Sequence, residues 1–498
     1  MSIKPSIAIL LLILIVFFPL FNFLDAPPIL QWDEGRLAVS SFEMSNSHNW
    51  IVTTINDKPD NISTKPPLMI WLQVLMMKVV GTNELAVRLP SALAALGTCL
   101  LLFFFFTKKN KEPLLGLVCA IVLVTTQGYV TFHGTRTGDY DSLLTMLMLG
   151  YTIFFFLYLD EGKRKYLYIT FFLLILSALT KGIQSLIFLP GLFIYAIYKR
   201  KLATILKQKE FYFGIVAFLF FVIGYYLLRD HFSPGYIDAV KREELGGRYN
   251  AVLGSHVGDE WFYYDLLVND FFHEWYLLVL PGIIAGLCNK QKWIKEITIY
   301  SAILVFTYLL VISGAKTKIS WYLMPIFPFL AMIVGVFLFS IYRILNDIDN
   351  KKQIFSYNFL PLIFLFFVFI IPYKTIVTNV VSNKYSPYER PEETDMEQFM
   401  KNVLHNNASI DSCMVLNEDL GLNVIWYYEV IRKQHQLSLV YRYTIPENGK
   451  IVVFLGESKK YIEDHFNTEI AQKFNNVTVY KLNGRKKSVE SDLTEPNG

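Results

Sequence analysis

The residues of this chain that could do chemistry are charged side chains beside apolar runs of membrane length. Asp33 and Glu34 follow the apolar run 6–24, in Trp32-Asp33-Glu34-Gly35-Arg36. A carboxylate at the mouth of a membrane helix is costly unless it has a partner or a task. The plain role is a loop ion pair with Arg36. The chemical role is to take, or aim, the proton of a reacting hydroxyl. Adjacent residues point apart, so one of the pair is the expected base.

Lys65, in Lys65-Pro66-Pro67, fits a turn before a helix. It equally fits an ammonium held at headgroup depth as a phosphate ligand. Arg136, Asp139 and Asp141 stand together in Arg136-Thr137-Gly138-Asp139-Tyr140-Asp141, where Asp141 is placed to cap the next helix. Asp-x-Asp suits a cation, but two carboxylates alone make a weak metal site, and no metal is expected. Lys181, Lys316 and Lys318 lie in short turns. Any one of them could snorkel, whereas together they suit an anionic ligand. Tyr322, Pro325 and Pro328 follow, and the prolines should bend that helix and open space beside the lysines. His256 stands alone in its loop.

Membrane helices must position these groups. Of 498 residues, 53% are hydrophobic and only 18% charged, the composition of a polytopic α-helical membrane protein. About 11 transmembrane helices are expected, at 5–24, 85–107, 113–132, 142–159, 165–180, 183–199, 211–228, 271–288, 296–314, 320–343 and 355–373. With the N-terminus in the cytoplasm, the clusters Lys108-Lys109, Lys163-Arg164-Lys165, Lys199-Arg200-Lys201, Lys290 to Lys295 and Arg343 to Lys352 all fall inside. The long loops 25–84 and 229–270 then lie outside, where Glu243, Glu244 and Arg248 join the set. Within the first loop, 67–80 is too short to span and reads as an interfacial helix. The expected domains are a transmembrane unit over 1–375, a C-terminal α/β extramembrane domain over 376–485 and a disordered tail over 486–498. In the α/β domain, 413–417, 451–455 and 477–482 read as strands, and 392–404 and 459–474 as helices. Cys99, Cys119, Cys288 and Cys413 are scattered, which suggests neither a disulfide framework nor a zinc site. No nucleic-acid signature occurs.

Five ordered blocks carry a resemblance that runs from about residue 30 to 330. They are Asp33-Glu34-x-Arg36-x-Ala38, Lys65-Pro66-Pro67, Arg88-Leu89-Pro90-Ser91-Ala92, Thr180-Lys181-Gly182, and Lys316-x-Lys318-x-x-Trp321-Tyr322-x-x-Pro325-x-x-Pro328. The chain resembles the GT-C glycosyltransferases of the aminoarabinose (lipid A) transferase and protein O-mannosyltransferase type. Trp261-Phe262-Tyr263-Tyr264 is similar to an aromatic stretch of that family, although the proline expected before it is absent.

The resemblance implies an inverting enzyme on the periplasmic face of the inner membrane. It would move a sugar from an undecaprenyl-phosphate carrier to a lipid A, protein or glycan acceptor, with no cofactor. It implies catalytic roles for Asp33, Glu34 and Asp141. It also implies a donor-phosphate set of Lys65, Lys181, Lys316, Lys318, Arg36 and Tyr322, with Asp139, Arg136 and His256 close by. A transporter or flippase of lipid-linked sugars is the rival class. Such proteins place their charges at the bilayer midplane, often within paired repeats. Here the charges gather at one face and no repeat occurs.

Overall fold

A computed structural model describes residues 4–130, 133–254, 256–352, 359–383, 395–406, 408, 410–418 and 420–486. Its first part is a bundle of apolar helices. Among the described residues, seven helices are long and apolar enough to cross a membrane. They are Glu84–Asn110, Asp141–Glu161, Arg164–Leu186, Lys209–Phe232, Lys292–Gly314, Ser320–Lys351 and Leu360–Ser382. The expected spans near 5, 113, 183 and 271 are shorter apolar helices, of which Pro113–Val124 stops early. The start of the last expected span, 355–358, lies outside the described residues, as does 487–498 of the expected tail.

Four helices set up the face of the bundle that carries Asp33. The first, α1 (Pro5–Phe21), leads to α2 (Asp33–Ser47), then α3 (Leu68–Val80) and α4 (Glu84–Asn110). Asp33 and Glu34 form the first turn of α2, where carboxylates suit the positive end of the helix dipole. Between α2 and α3 a hairpin pairs β1 (Thr54–Ile55) with β2 (Lys58–Pro59). The short apolar helix expected over 67–80 is α3. At the start of α4, the Asn83 side chain accepts from Ala86 N at 2.9 Å, a helix cap.

The C-terminal domain is α/β, with a five-stranded sheet in the order β4-β3-β5-β7-β6. Its strands are β3 (Cys413–Leu416), β4 (Ser438–Val440), β5 (Asn448–Val453), β6 (Phe466–Phe474) and β7 (Val477–Arg485). The β3 strand pairs in parallel with β4 and β5, while β7 runs antiparallel to β5 and β6. The single helix expected over 459–474 is corrected here. It ends at His465, and Phe466–Phe474 pairs with β7, because tertiary pairing outweighs local helix propensity. Helix Leu422–His435 and strand β4 were not foreseen. Of the helix expected over 392–404, 392–394 lie outside the described residues, and Asp395–Leu404 is helical.

This domain sits on that same face of the bundle through buried polar contacts. The Tyr427 hydroxyl accepts from Ile29 N at 3.0 Å and donates to Glu84 Oε1 at 2.8 Å. His405 Nε2 lies 2.9 Å from Glu84 Oε2, and Lys401 donates to Ala26 O at 2.6 Å. Gly35 makes the fit possible. A Cβ there would stand 2.7 Å from Asn423 N, so helix Leu422–His435 could not approach α2 as it does.

Candidate active site

Two adjacent carboxylates at the start of α2 have different surroundings. Glu34 is 2% exposed. Its oxygens accept from Arg88 Nε at 2.7 Å, Arg88 Nη2 at 2.8 Å, Leu30 N at 2.7 Å and Gly138 N at 2.7 Å. Arg88 also donates to the carbonyls of Leu24, Pro27 and Pro28. This knot ties three segments together. It leaves Glu34 with no capacity for a substrate, and the expected pairing of Glu34 with Arg36 does not form. Arg36 instead pairs with Asp60 at 2.6 Å.

Asp33 is half-buried and faces a cavity of about 770 Å³. Lys65, His133, Asp139, Lys181, Arg248, His256, Trp321 and Tyr322 also line it. Burial, then the charge of Asp139, lifts the Asp33 carboxyl above its ordinary value, against the pull of His133, Lys181 and Lys65. Such a carboxylate is a stronger base than a solvated one. Burial works the same way on Asp139, but His133 outweighs it through a 2.6 Å hydrogen bond and its charge, so the Asp139 carboxyl is held low. His133 stacks on Trp321, with ring centroids 3.8 Å apart. One ligand atom each of Asp33, His133 and Asp139 falls within 4.8 Å of the others, a spacing that a divalent cation can bridge. The sequence offered only Asp139 with Asp141 as a carboxylate pair for a cation, and no metal was expected there. Here His133 and Asp33 join Asp139 instead.

The cations come from three segments. Lys65 pairs with Glu244, which also accepts from the Thr64 hydroxyl at 2.7 Å. Burial drives the Lys65 pKa down, even though Glu244 supports the charge. Lys181 lies 2.6 Å from both oxygens of Asp141 and 5.4 Å from the Tyr322 ring centroid. Arg248 stands 3.9 Å from Glu244, and its Nε is buried without a hydrogen-bond partner among the described residues. Beside these groups opens an apolar groove of about 330 Å³, lined by Gly182, Leu186, Phe218, Tyr226 and Glu244 among others. A second apolar groove of about 470 Å³ shares Leu186 and Phe218 with it.

Several expected site residues go elsewhere. Asp141 begins its helix but is consumed by Lys181 rather than capping. Arg136 donates to Pro19 O at 2.8 Å and Asn22 O at 2.6 Å, fastening the end of α1. Lys316 is exposed, and Lys318 donates to Ser313 O at 2.6 Å. Neither lines the cavity. Their backbone holds the loop that does: Thr317 N donates to Arg248 O at 3.0 Å and Lys318 N to His256 O at 3.1 Å. Sequence reasoning missed His133 and gave Trp321 and Arg248 no role. The signal for His133 was its place six residues before Asp139 in the short loop between two apolar helices.

The family model for dolichyl-phosphate-mannose-protein mannosyltransferase matches residues 64–226. An undecaprenyl phosphate-α-4-amino-4-deoxy-L-arabinose arabinosyl transferase of Aeromonas hydrophila is 27% identical over 349 residues, 67% of this chain and 60% of its own. Its counterpart in Shewanella sediminis is 26% identical over 316 residues, 61% of this chain and 54% of its own. The chain thus spans under two thirds of the length of these relatives. Among solved structures, ArnT from Cupriavidus metallidurans bound to undecaprenyl phosphate has a TM-score of 0.70 at 14% identity. That match covers 95% of this chain and 97% of the other. The Archaeoglobus fulgidus oligosaccharyltransferase has a TM-score of 0.52 at 9% identity, over 94% and 74%. With its helical bundle and appended sheet domain, the chain is a multi-pass membrane protein with the fold of these GT-C glycosyltransferase structures, and its sequence is similar to aminoarabinose transferases and, over residues 64–226, to the protein mannosyltransferase family.

Proposed function

We propose that the chain transfers a sugar from a polyprenyl-phosphate carrier to an acceptor hydroxyl or amine, with inversion, at the periplasmic face of the inner membrane. One observation carries the reading: a carboxylate with a raised pKa faces one cavity together with Lys65, Lys181 and Arg248, beside apolar grooves. The names of the relatives, which use undecaprenyl-phosphate-linked sugars, support the donor class.

The chemistry follows from the groups. Asp33 accepts the acceptor's proton as its heteroatom attacks the anomeric carbon. The bond from that carbon to the phosphate oxygen breaks, and polyprenyl phosphate leaves with the electron pair. A phosphate is already a competent leaving anion, so cations rather than a general acid are needed. Lys65, Lys181 and Arg248 supply them, and the buried unpartnered Arg248 Nε offers a donor to a phosphate oxygen. Glu244 holds Lys65 until the donor phosphate competes for it. The apolar grooves take the polyprenyl tail. Acceptors of this class include lipid A, a protein or a glycan.

Purified protein in nanodiscs, given a radiolabelled polyprenyl-phosphate sugar and cell-envelope acceptors, is expected to release polyprenyl phosphate in step with labelled acceptor. Donor carried through unchanged, as in flipping without cleavage, contradicts the reading. Reporter fusions at Lys109 and Asn383 are expected to report cytoplasm and periplasm, and the reverse result overturns the orientation.

A further inference from the structure

The reaction cavity has a second mouth. A separate cavity of about 380 Å³ lies between the β1–β2 hairpin and the C-terminal domain, where Leu420, Gly421 and Leu422 form its far wall. It shares Gln31, Trp32, Asp33, Arg36 and Ile62 with the reaction cavity, so the two meet at the proposed base. The shared doorway contains an unusual residue. Trp32 is 76% exposed and makes no ring contact among the described residues. Its backbone has φ 70°, a left-handed conformation that tryptophan rarely adopts. Strain of this kind persists only where the surroundings hold it, and it points to use. The result is an indole face presented to both cavities, one residue before Asp33.

We infer that this second mouth is the acceptor subsite and that it takes a carbohydrate, with a pyranose ring stacked on Trp32. The inference rests on the transferase reading above and names its acceptor class. The chemistry fits a sugar better than a peptide. An indole face carries a negative quadrupole that attracts the polarised C–H bonds on one face of a pyranose. Around it stand Gln31, Lys58 and Arg36, whose amide, ammonium and remaining guanidinium N–H groups suit ring hydroxyls, while Asp60 is taken up by Arg36, Ile62 N and Ser63 N. The hairpin there is a poor seat for an extended peptide, since β1 and β2 have two residues each and leave only a two-residue edge. A sugar on Trp32 would bring its hydroxyls to the Asp33 carboxylate, while the donor phosphate approaches from the Lys65 side. The C-terminal domain thereby walls the acceptor path. Its Glu397, hydrogen-bonded to Asn423 at 2.8 Å, also lines the reaction cavity.

The test is direct binding to the full-length protein in nanodiscs, without donor, by saturation-transfer NMR. The probes are a panel of neutral and amino disaccharides, the same disaccharides on a lipid anchor, and a Ser/Thr-rich peptide. Trp32→Gly removes the ring and suits the positive φ, so the fold is kept, and Trp32→Phe restores a stacking face. Saccharide binding is expected in the wild type, weakened at least 10-fold in Trp32→Gly and largely recovered in Trp32→Phe. Stronger binding of the anchored form supports a glycolipid source, and equal binding a free glycan. In turnover, Trp32→Gly is expected to raise the acceptor KM at least 10-fold and leave the donor KM in place. Peptide binding without saccharide binding, saccharide binding equal in all three proteins, or no saccharide binding at all overturns the proposal. A protein that binds saccharide in this Trp32-dependent way yet cleaves no lipid-linked donor would keep the subsite and refute the transferase reading.

Discussion

The Glu34–Arg88 knot and the Asp33 cavity are built from the same residue types and begin one residue apart. In the knot, a buried carboxylate meets a buried guanidinium, and backbone groups take up what remains. In the cavity, Asp33 faces open space with its pKa raised, and Arg248 keeps a buried nitrogen without a partner among the described residues. Charges whose capacity is used up hold the segments around the cavity in place. Charges left with capacity are the ones available to a substrate. Lys181–Asp141 and Lys65–Glu244 stand between the extremes, as cations that face the cavity while a carboxylate holds them.

The comparison can be broken first at the knot. Arg88→Leu leaves Glu34 buried without its ion partner, and losses of about 3–5 kcal/mol are usual for such a cut. The variant is expected to lower the melting temperature of the purified protein and to reduce transfer only in proportion to folded protein. A stable variant with lost transfer would move Arg88 into the site. At the cavity the signs reverse. Lys65→Ala or Arg248→Ala is expected to slow transfer by folded protein about 10²–10³-fold, the usual loss for one charge-stabilising donor, with the melting temperature kept in Arg248→Ala and lowered less in Lys65→Ala than in Arg88→Leu, because Thr64 and Arg248 still face Glu244. Normal transfer in both would remove the phosphate assignment.

Proton occupancy sharpens the contrast. Asp33 must be ionised to act, and its pKa is raised, so transfer should fall with decreasing pH from a point above the ordinary value of about 4. An acid limb at or below that value in kcat/KM would contradict the assignment. The smallest expected effect lies at the domain contact. The hydrogen bond to Glu84, opposed by burial, raises the His405 pKa. A raised folded pKa means that the added stability is present below the unfolded value of about 6.5 and is lost as pH rises through the folded value. Hydrogen exchange at Tyr427 should therefore quicken modestly as pH increases through that window, beyond the intrinsic rate. His405→Gln should abolish the pH dependence.

Much of this was legible in the sequence. Apolar runs foretold the helices, and Asp33, Lys65 and Lys181, singled out by type and placement, line one cavity. The residues misread share a cause. Lys316 and Lys318 have the right type and spacing, yet their backbone is used to pin the 248–256 loop, and side-chain direction is not written in a turn sequence. Glu34 and Asp141 looked like free carboxylates because their partners, Arg88 and Lys181, are 54 and 40 residues away. His133 was passed over because a single imidazole in an apolar stretch carries no pattern until the loop folds it onto Asp139. Strand β6 was hidden in a segment that also reads as helix.

The central claim is that Asp33, and not its neighbour, activates the acceptor. The most direct measurement compares Asp33→Asn with the wild type in nanodiscs, recording donor binding and single-turnover sugar transfer on the same preparation. Binding of the polyprenyl-phosphate sugar is expected to stay within a few-fold, with transfer slowed about 10²–10⁴-fold, the range for loss of a general base. Transfer at the wild-type rate by a folded, donor-binding Asp33→Asn protein would contradict the account.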